Sequence, residues 1–383
     1  MEDVFRYDGA LIDTRTDDGM TETTVPLDGA LTSWLKERAD ALDTQAAAGA
    51  DLLARLAEAD LFGIGLARDA GGDGRAPGAA LAIVAGLAEH SLSAAFVFWA
   101  QRACIECISR SPDAALSARL LPALLRGTLA GAPGLSNAMK FLGGLDRLRV
   151  AAAPAMQGVR LAGEVSWATN LHPQGFVTLL AAGNVEGAGA AVYAVPHGAP
   201  GLARVPDLDL NALRGTQTGA LRLDGVPVQY ATGAGSGGAW CVHPDARTFL
   251  PAVRPLFVGL QCGLGHGLAR AALAAAHAAS GGLPAVLADE AAALGAQLDA
   301  DARTLAAGID DGSLRTRPRD LLALRVRMVE LADAAVRLEL QALGGRALLR
   351  GQDAGFGRRR REAAFLAVVT PTLVQLKTDL ART

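Results

Sequence analysis

Apolar residues recur at three- and four-residue spacing through "ALTSWLKERADAL", "ADLLARLAEADLF", "PGAALAIVAGLAEHSLSAAFVFWAQRACIECISR" and "PDAALSARLLPALLRG". That period predicts helices over residues 28–126. The last of these runs follows Ser111-Pro112-Asp113, read as an N-cap serine with proline at the first helical position. A glycine-rich turn, "LFGIGLARDAGGDGRAPG", interrupts the helices. From about residue 127 to 241 the pattern changes. "DRLRVAAAP", "GVRLAGEVSWAT", "FVTLLAAG", "GAAVYAVP", "GLARVPDLD" and "GALRLDGVPVQY" are short runs parted by Gly, Pro, Asn and Asp. They predict an all-β unit, a sandwich or barrel, with "GAGSGGAW" as a flexible exit.

From about 242 to 383 the helical period returns in four long stretches, which with short links predict an up-and-down four-helix bundle. Residues 1–27 are read as a poorly ordered leader. The expected fold class is thus α+β multidomain: an N-terminal α-helical domain, a middle β-sandwich or barrel and a C-terminal four-helix bundle. Strands and helices do not alternate, which excludes a doubly wound sheet. The "GLGHG" cluster sits inside a helical pattern and predicts close helix packing rather than a dinucleotide loop.

Composition narrows the function classes. At 383 residues, with 51% hydrophobic and 20% charged residues, the chain can bury a large core. A net charge of −3 gives no reason to expect nucleic acid or an anionic membrane as partner. Only Lys36, Lys140 and Lys377 are lysines, a bias that a GC-rich genome explains. Cys104 and Cys107 form a C-x-x-C within an apolar helical run, so a buried helix face is expected there rather than a redox or zinc pair. The polar first nineteen residues lack a signal peptide's apolar stretch, and Met1 and Met20 are both plausible starts. No run supplies the ~20 uncharged apolar residues of a membrane span. A reducing, cytoplasmic location is expected.

Several modest signatures then stand in a telling order. They are "ADLFGIGLARDAGGDG", "LPALLRGTLAGAPGLSN", "GEVSWATNL", "LRGTQTGALRLDGVPV", "LQALGGRALLRG" and "REAAFLAVVTPTLVQLKTDLAR". In this sequence they resemble the acyl-CoA dehydrogenase family from about residue 31 to 382. The resemblance implies a flavoprotein holding FAD, or FMN in its place, that acts on an acyl-CoA or similar small organic substrate and forms a homodimer or homotetramer. By the same resemblance, Trp167 flanks the flavin ring and Thr169 bonds near its N5/O4 edge. Period-2 alternation would place both on one strand face. Ser136 and the backbones of Leu135 and Asn137 fall at the first flavin loop. Gln341, Gly344 and Gly345 match the segment that meets a neighbouring subunit's dinucleotide.

Three departures qualify this. The family's glycine-serine flavin loop reads "SNAMKFLGG" here. The segment after the first bundle helix, "SGGLP", lacks the family's FAD-gripping arginine. The family's base glutamate is replaced by Thr370, and an alternative base station corresponds to Phe257. A positioned carboxylate contributes ~10²–10⁴ in rate to α-proton removal, and a threonine hydroxyl cannot stand in for it near neutral pH. Glu362, Asp379 and Asp353 lie nearby but out of register. Three functions therefore stay open: a dehydrogenase-like oxidoreductase, a flavin-dependent monooxygenase of the same fold, and a catalytically silent binding subunit. His90, His266 and His277 read as packing or surface residues, and His172 as a loop residue. The run Arg358–Arg361 reads as a solvated or charge-pairing face, with Arg361 a candidate structural salt bridge.

Overall fold

The computed structural model describes residues 27–349 except Gln157, Ala188, Asp207 and 230–237, together with Gly351 and residues 355–382. Residues 1–26 of the expected leader, most of the glycine-rich exit and Asp353 lie outside the described residues.

Helices α1 (Gly29–Thr44), α2 (Leu52–Glu58), α3 (Ala79–His90), α4 (Leu92–Ser109) and α5 (Ala114–Leu125) form the first layer. The long apolar run across 77–110 is two helices, not one. Ser91 adopts an extended backbone (φ −155°, ψ 115°), and its side chain caps Ala94 N–H, so the chain turns there. Helix α4 is buried on all sides along nearly its whole length, Cys104 and Cys107 included. The start of α5 differs from expectation. Its N-cap is Asp113, which accepts from the N–H groups of Ala115 and Leu116 at 3.0 and 3.1 Å. A carboxylate is the stronger acceptor at a helix N-terminus. Ser111 instead donates to Val242 O in the β-domain at 2.7 Å.

A buried arginine organises the glycine-rich turn. Arg102 on α4 donates to the carbonyls of Ile64 and Gly65 at 3.4 and 2.9 Å and pairs with Glu106 at 3.1 Å. Glu106 also binds Arg110. Burial alone would raise the Glu106 carboxyl's pKa, but the two guanidiniums outweigh it and hold it below the ordinary range.

Strands β1 (Ala130–Pro133), β2 (Val150–Ala155), β3 (Gly158–Ala168), β4 (Phe176–Asn184), β5 (Ala190–Pro196), β6 (Leu202–Arg204), β7 (Gly219–Gln229) and β8 (Ala239–His243) make one sheet. Its order is β1-β4-β2-β3-β7-β8-β5, and antiparallel pairing of β5 with β4 closes a ring. The middle unit is therefore barrel-like, which removes most open edges. Strands β4 and β5 are buried on both faces, whereas β3 and β7 alternate buried with exposed positions. Between β1 and β2 the segment expected as a loop is a short helix, α6 (Ser136–Leu142). The bulkier Asn-Ala-Met-Lys-Phe-Leu sequence favours helix where glycine and serine would not.

Helices α7 (Ala246–His277), α8 (Ala285–Asp310), α9 (Ser313–Thr316), α10 (Pro318–Leu343), α11 (Phe356–Leu366) and α12 (Leu373–Ala381) complete the chain. The fourth bundle stretch is split into α11 and α12. Pro371 lacks an N–H and disfavours a helical residue before it, and Thr372 restarts the helix through a capping box with Gln375. No helix among the described residues is long and apolar enough to cross a membrane.

The "GLGHG" glycines explain how α7 crosses its neighbours. A Cβ on Gly263 would meet Val84 at 2.9 Å, on Gly265 the Met328 carbonyl at 3.0 Å, and on Gly267 the Ala85 carbonyl at 2.0 Å. Helices α3 and α10 thus press their backbones onto α7. Gly267→Ala gains up to ~1 kcal/mol in helix propensity but must open the α3–α7 contact, an overpacking cost of about 1–3 kcal/mol. A lower urea midpoint is expected, with the slope unchanged.

Candidate active site

The chemistry-bearing residues divide between a β-domain cleft and the junction of the bundle with α4. The cleft encloses about 620 Å³, open solvent included, and is bounded by α6 and strands β2, β3 and β4. Ser136, Asn137, Lys140, Arg149, Glu164 and Trp167 line it. Trp167 is 54% exposed, a large apolar surface left in water beside a concavity. Arg149 donates to the Ser166 hydroxyl at 3.1 Å, and that hydroxyl donates to Glu164 at 2.9 Å. Asn137 is engaged: its amide donates to Asp146 and to Arg147 O, and its oxygen accepts from Arg149 N at 2.9 Å. Leu135 is fully buried at the N-terminus of α6.

Thr169 does not share the environment of Trp167. The pairing of β3 with β7 slips between Val165 and Ala168, a bulge that breaks strict alternation. Thr169 is 5% exposed and lies within hydrogen-bond distance of Thr218 at 3.0 Å. Thr218 is 2.8 Å from Thr216, which donates to Leu213 O at 2.7 Å. Each hydroxyl has one proton. Thr216 spends its own on Leu213, so Thr218 donates to Thr216 and Thr169 donates to Thr218. Thr169 keeps only acceptor capacity for any further partner. Asn170 has a left-handed backbone (φ 66°) and donates to Gln101 Oε1 and Gly131 O at 3.0 and 3.1 Å. Asn170, the last residue of the "WATN" tetrad, thus anchors the strand end to α4 and β1, and the indole projects at the cleft.

Gln341, Gly344 and Gly345 are exposed at the C-terminal end of α10 and do not line this cleft. A Cβ on either glycine would meet nothing within 4 Å.

The two expected base stations hold no carboxylate. Phe257 is 3% exposed and packs edge-on to Trp99 with ring centroids 5.0 Å apart; its carbonyl accepts from the indole N–H at 2.9 Å. Phe96 stacks on Trp99 at 4.9 Å and meets Phe365 edge-on at 4.8 Å. The half-buried Thr370 lends its carbonyl to Gln261 at 3.0 Å. Arg325 stands behind Gln261, wholly buried, and donates to Leu366 O at 3.0 Å. Glu362 is wholly buried, accepts two bonds from Arg358 at 3.0 Å and caps Leu92 N–H at the start of α4. Burial raises its pKa and the Arg358 guanidinium opposes that rise. Its lone pairs serve α4, so it is no free base.

The arginine run is mostly not a solvated face. Arg358 pairs with Glu362, Arg359 with Glu339, and Arg361 with Asp43, while Arg360 alone is exposed. The run itself did not reveal this, because Asp43 lies on α1 and Glu339 on α10, and only Glu362 lies on α11. His172 is a loop residue whose Nε2 lies 3.1 Å from Ala50 O. Among the described residues no group of His, Cys, Asp and Glu could hold a metal.

Residues 30–128 match the family model of the acyl-CoA dehydrogenase N-terminal domain. No curated protein matches the chain by sequence. Among solved structures, the chain is similar to butyryl-CoA dehydrogenase of Megasphaera elsdenii, at 17% identity and TM-score 0.72 over 92% of this chain and 93% of that one. It is also similar to a glutaryl-CoA dehydrogenase of Mycobacterium smegmatis solved with FADH2, at 15% identity and TM-score 0.73 over 93% and 94%. Dibenzothiophene monooxygenase of Paenibacillus sp. A11-2 shares the fold at 17% identity and TM-score 0.66 over 92% and 93%. Residues 30–128 thus carry an acyl-CoA dehydrogenase N-terminal domain, and the chain has the acyl-CoA dehydrogenase fold over nearly its whole length.

Proposed function

We propose that this protein is a flavin-dependent oxidoreductase that holds FAD, or FMN in its place, against Trp167 and works without a carboxylate base at Thr370 or Phe257. The observation that carries this is the exposed indole beside a cleft lined by polar side chains. When bound, the flavin supplies hydride acceptance from a small organic substrate such as an acyl-CoA or, once reduced, reaction with O2. The chain's own part is to stack an aromatic wall on the ring through Trp167 and to offer the Ser136 hydroxyl, which has no partner among the described residues.

Without a carboxylate, desaturation of a thioester forgoes ~10²–10⁴ in rate. Packing at Phe257 and the engagement of Glu362 therefore favour the oxygen-using reading over the dehydrogenase one. The exposed Gln341, Gly344 and Gly345, with Leu348 and Leu349 exposed beside them, are proposed to meet a second copy in a homodimer or homotetramer. The loop 280–284 offers no arginine to the dinucleotide, so that contact falls to the glycines.

The visible spectrum of the purified protein, before and after adding FAD or FMN, tests the reading. Oxidised-flavin bands that stay with the protein through gel filtration are expected. A protein that remains colourless with both flavins is a silent binding subunit instead. Anaerobic bleaching of bound flavin by acyl-CoAs would restore the dehydrogenase reading against the oxygen-using one.

A further inference from the structure

The 36 basic residues include only three lysines. Lys36 is exposed, and Lys377 pairs with Glu330 at 2.7 Å on the surface. Lys140 differs from both. It is half-buried on α6 and makes no ion pair or hydrogen bond among the described residues. It also lines two cavities at once. One is the Trp167 cleft. The other is a smaller pocket of about 370 Å³, open solvent included, where α6 faces α7, α10 and α12.

Arg254 of α7 lines that smaller pocket too, again with no ion pair among the described residues. Burial lowers its pKa, and the Asp379 carboxylate across the pocket partly offsets this. Leu322, Pro371 and Leu376 supply apolar wall. Two cations thus face one carboxylate, leaving a net positive charge in a partly dehydrated space. Such an arrangement loses hydration of its cations without recovering it in an ion pair.

We infer that this pocket takes the anionic head group, carboxylate or phosphate, of a small substrate with an apolar body, and that Lys140 and Arg254 bind it. The pocket itself is small, so only the anion's oxygens would enter it and the body of the substrate would lie outside. An ammonium with three rotatable donors and a planar guanidinium can share the oxygens of one anion. Pro371 places the pocket at the Thr370 turn, and Lys140 joins it to the cleft beside Trp167. A substrate anchored by its anion at Lys140 would extend toward the indole. As to what reaction this serves, the inference rests on the flavin reading; the binding itself does not.

Calorimetric titration of the full chain with hexanoate and with inorganic phosphate, each with and without added FAD, tests this. At least one probe is expected to bind saturably, and Lys140→Met and Arg254→Met are each expected to weaken it at least tenfold. Lys377→Met is expected to change nothing, and Arg254→Lys to restore most of the binding should Arg254→Met fold poorly. Undiminished FAD uptake by Lys140→Met assigns the anion to a substrate. Phosphate binding and FAD uptake that fall together in Lys140→Met would assign it to the cofactor and overturn the inference. So would the absence of binding by either probe, or equal binding by wild type and both variants. Hexanoate binding without flavin uptake sinks only the flavin reading, and flavin uptake without anion binding sinks only this one.

Discussion

Trp167→Ala is expected to cut flavin affinity at least tenfold while leaving folding stability within ~0.5 kcal/mol of wild type. The two effects separate because the indole is 54% exposed and bears on a cleft rather than on the core. Aromatic stacking adds about 0.5–1.5 kcal/mol beyond the area it buries. Burial of apolar area adds ~25 cal/mol per Å², so together they exceed the ~1.4 kcal/mol of a tenfold change. Trp167→Phe retains an aromatic wall and is expected to recover most of the affinity. Titration with FAD followed by absorbance, alongside urea unfolding of the same samples, gives both readouts. Equal flavin affinity in wild type and Trp167→Ala would remove the ring from this cleft.

Arg361→Ala is expected to destabilise the protein by about 1–2 kcal/mol, between an exposed and a wholly buried ion pair, because Asp43 is buried but the Arg361 side chain is 40% exposed. Asp43 on α1 is wholly buried. It accepts from Arg361 Nε and one terminal nitrogen at 2.8 and 2.6 Å, and from Leu213 N at 2.8 Å. This carboxylate ties three regions together: α1, α11 and the turn that leads into β7. Loss of the arginine strands a buried negative charge, whereas Asp43→Asn keeps an acceptor for Leu213 without the charge. The double variant Asp43→Asn/Arg361→Ala is therefore expected to recover part of the loss. Urea midpoints of the four proteins form the cycle that measures it. Additive losses would show that the pair contributes only as a surface contact does.

Much of the fold was legible along the chain because burial is periodic. Residues facing a core repeat every 3.6 positions in a helix and every two in a strand, so helical first block, stranded middle and helical tail could be read directly. The glycines of "GLGHG" were legible as packing glycines for the same reason: no strand precedes them. Flavin-site candidates were less so. The indole of Trp167 lies at a cleft, but its strand partner Thr169 is turned to another task by a bulge that depends on how β3 meets β7. Helix α6, which brings Lys140 between two cavities, occupies a place where resemblance led one to expect a loop.

By itself the sequence determined the order of helical, stranded and helical regions, the buried face of α4, and the absence of a glutamate at Thr370. These follow from residue identity and local period. Only the tertiary structure decided which arginines of the 358–361 run are buried, that the strands close into a ring, and which polar groups remain unspent. Those outcomes depend on partners as far apart as Asp43 and Arg361. Charge and hydrogen-bond capacity are satisfied through space, and no local pattern records which distant group arrives to satisfy them.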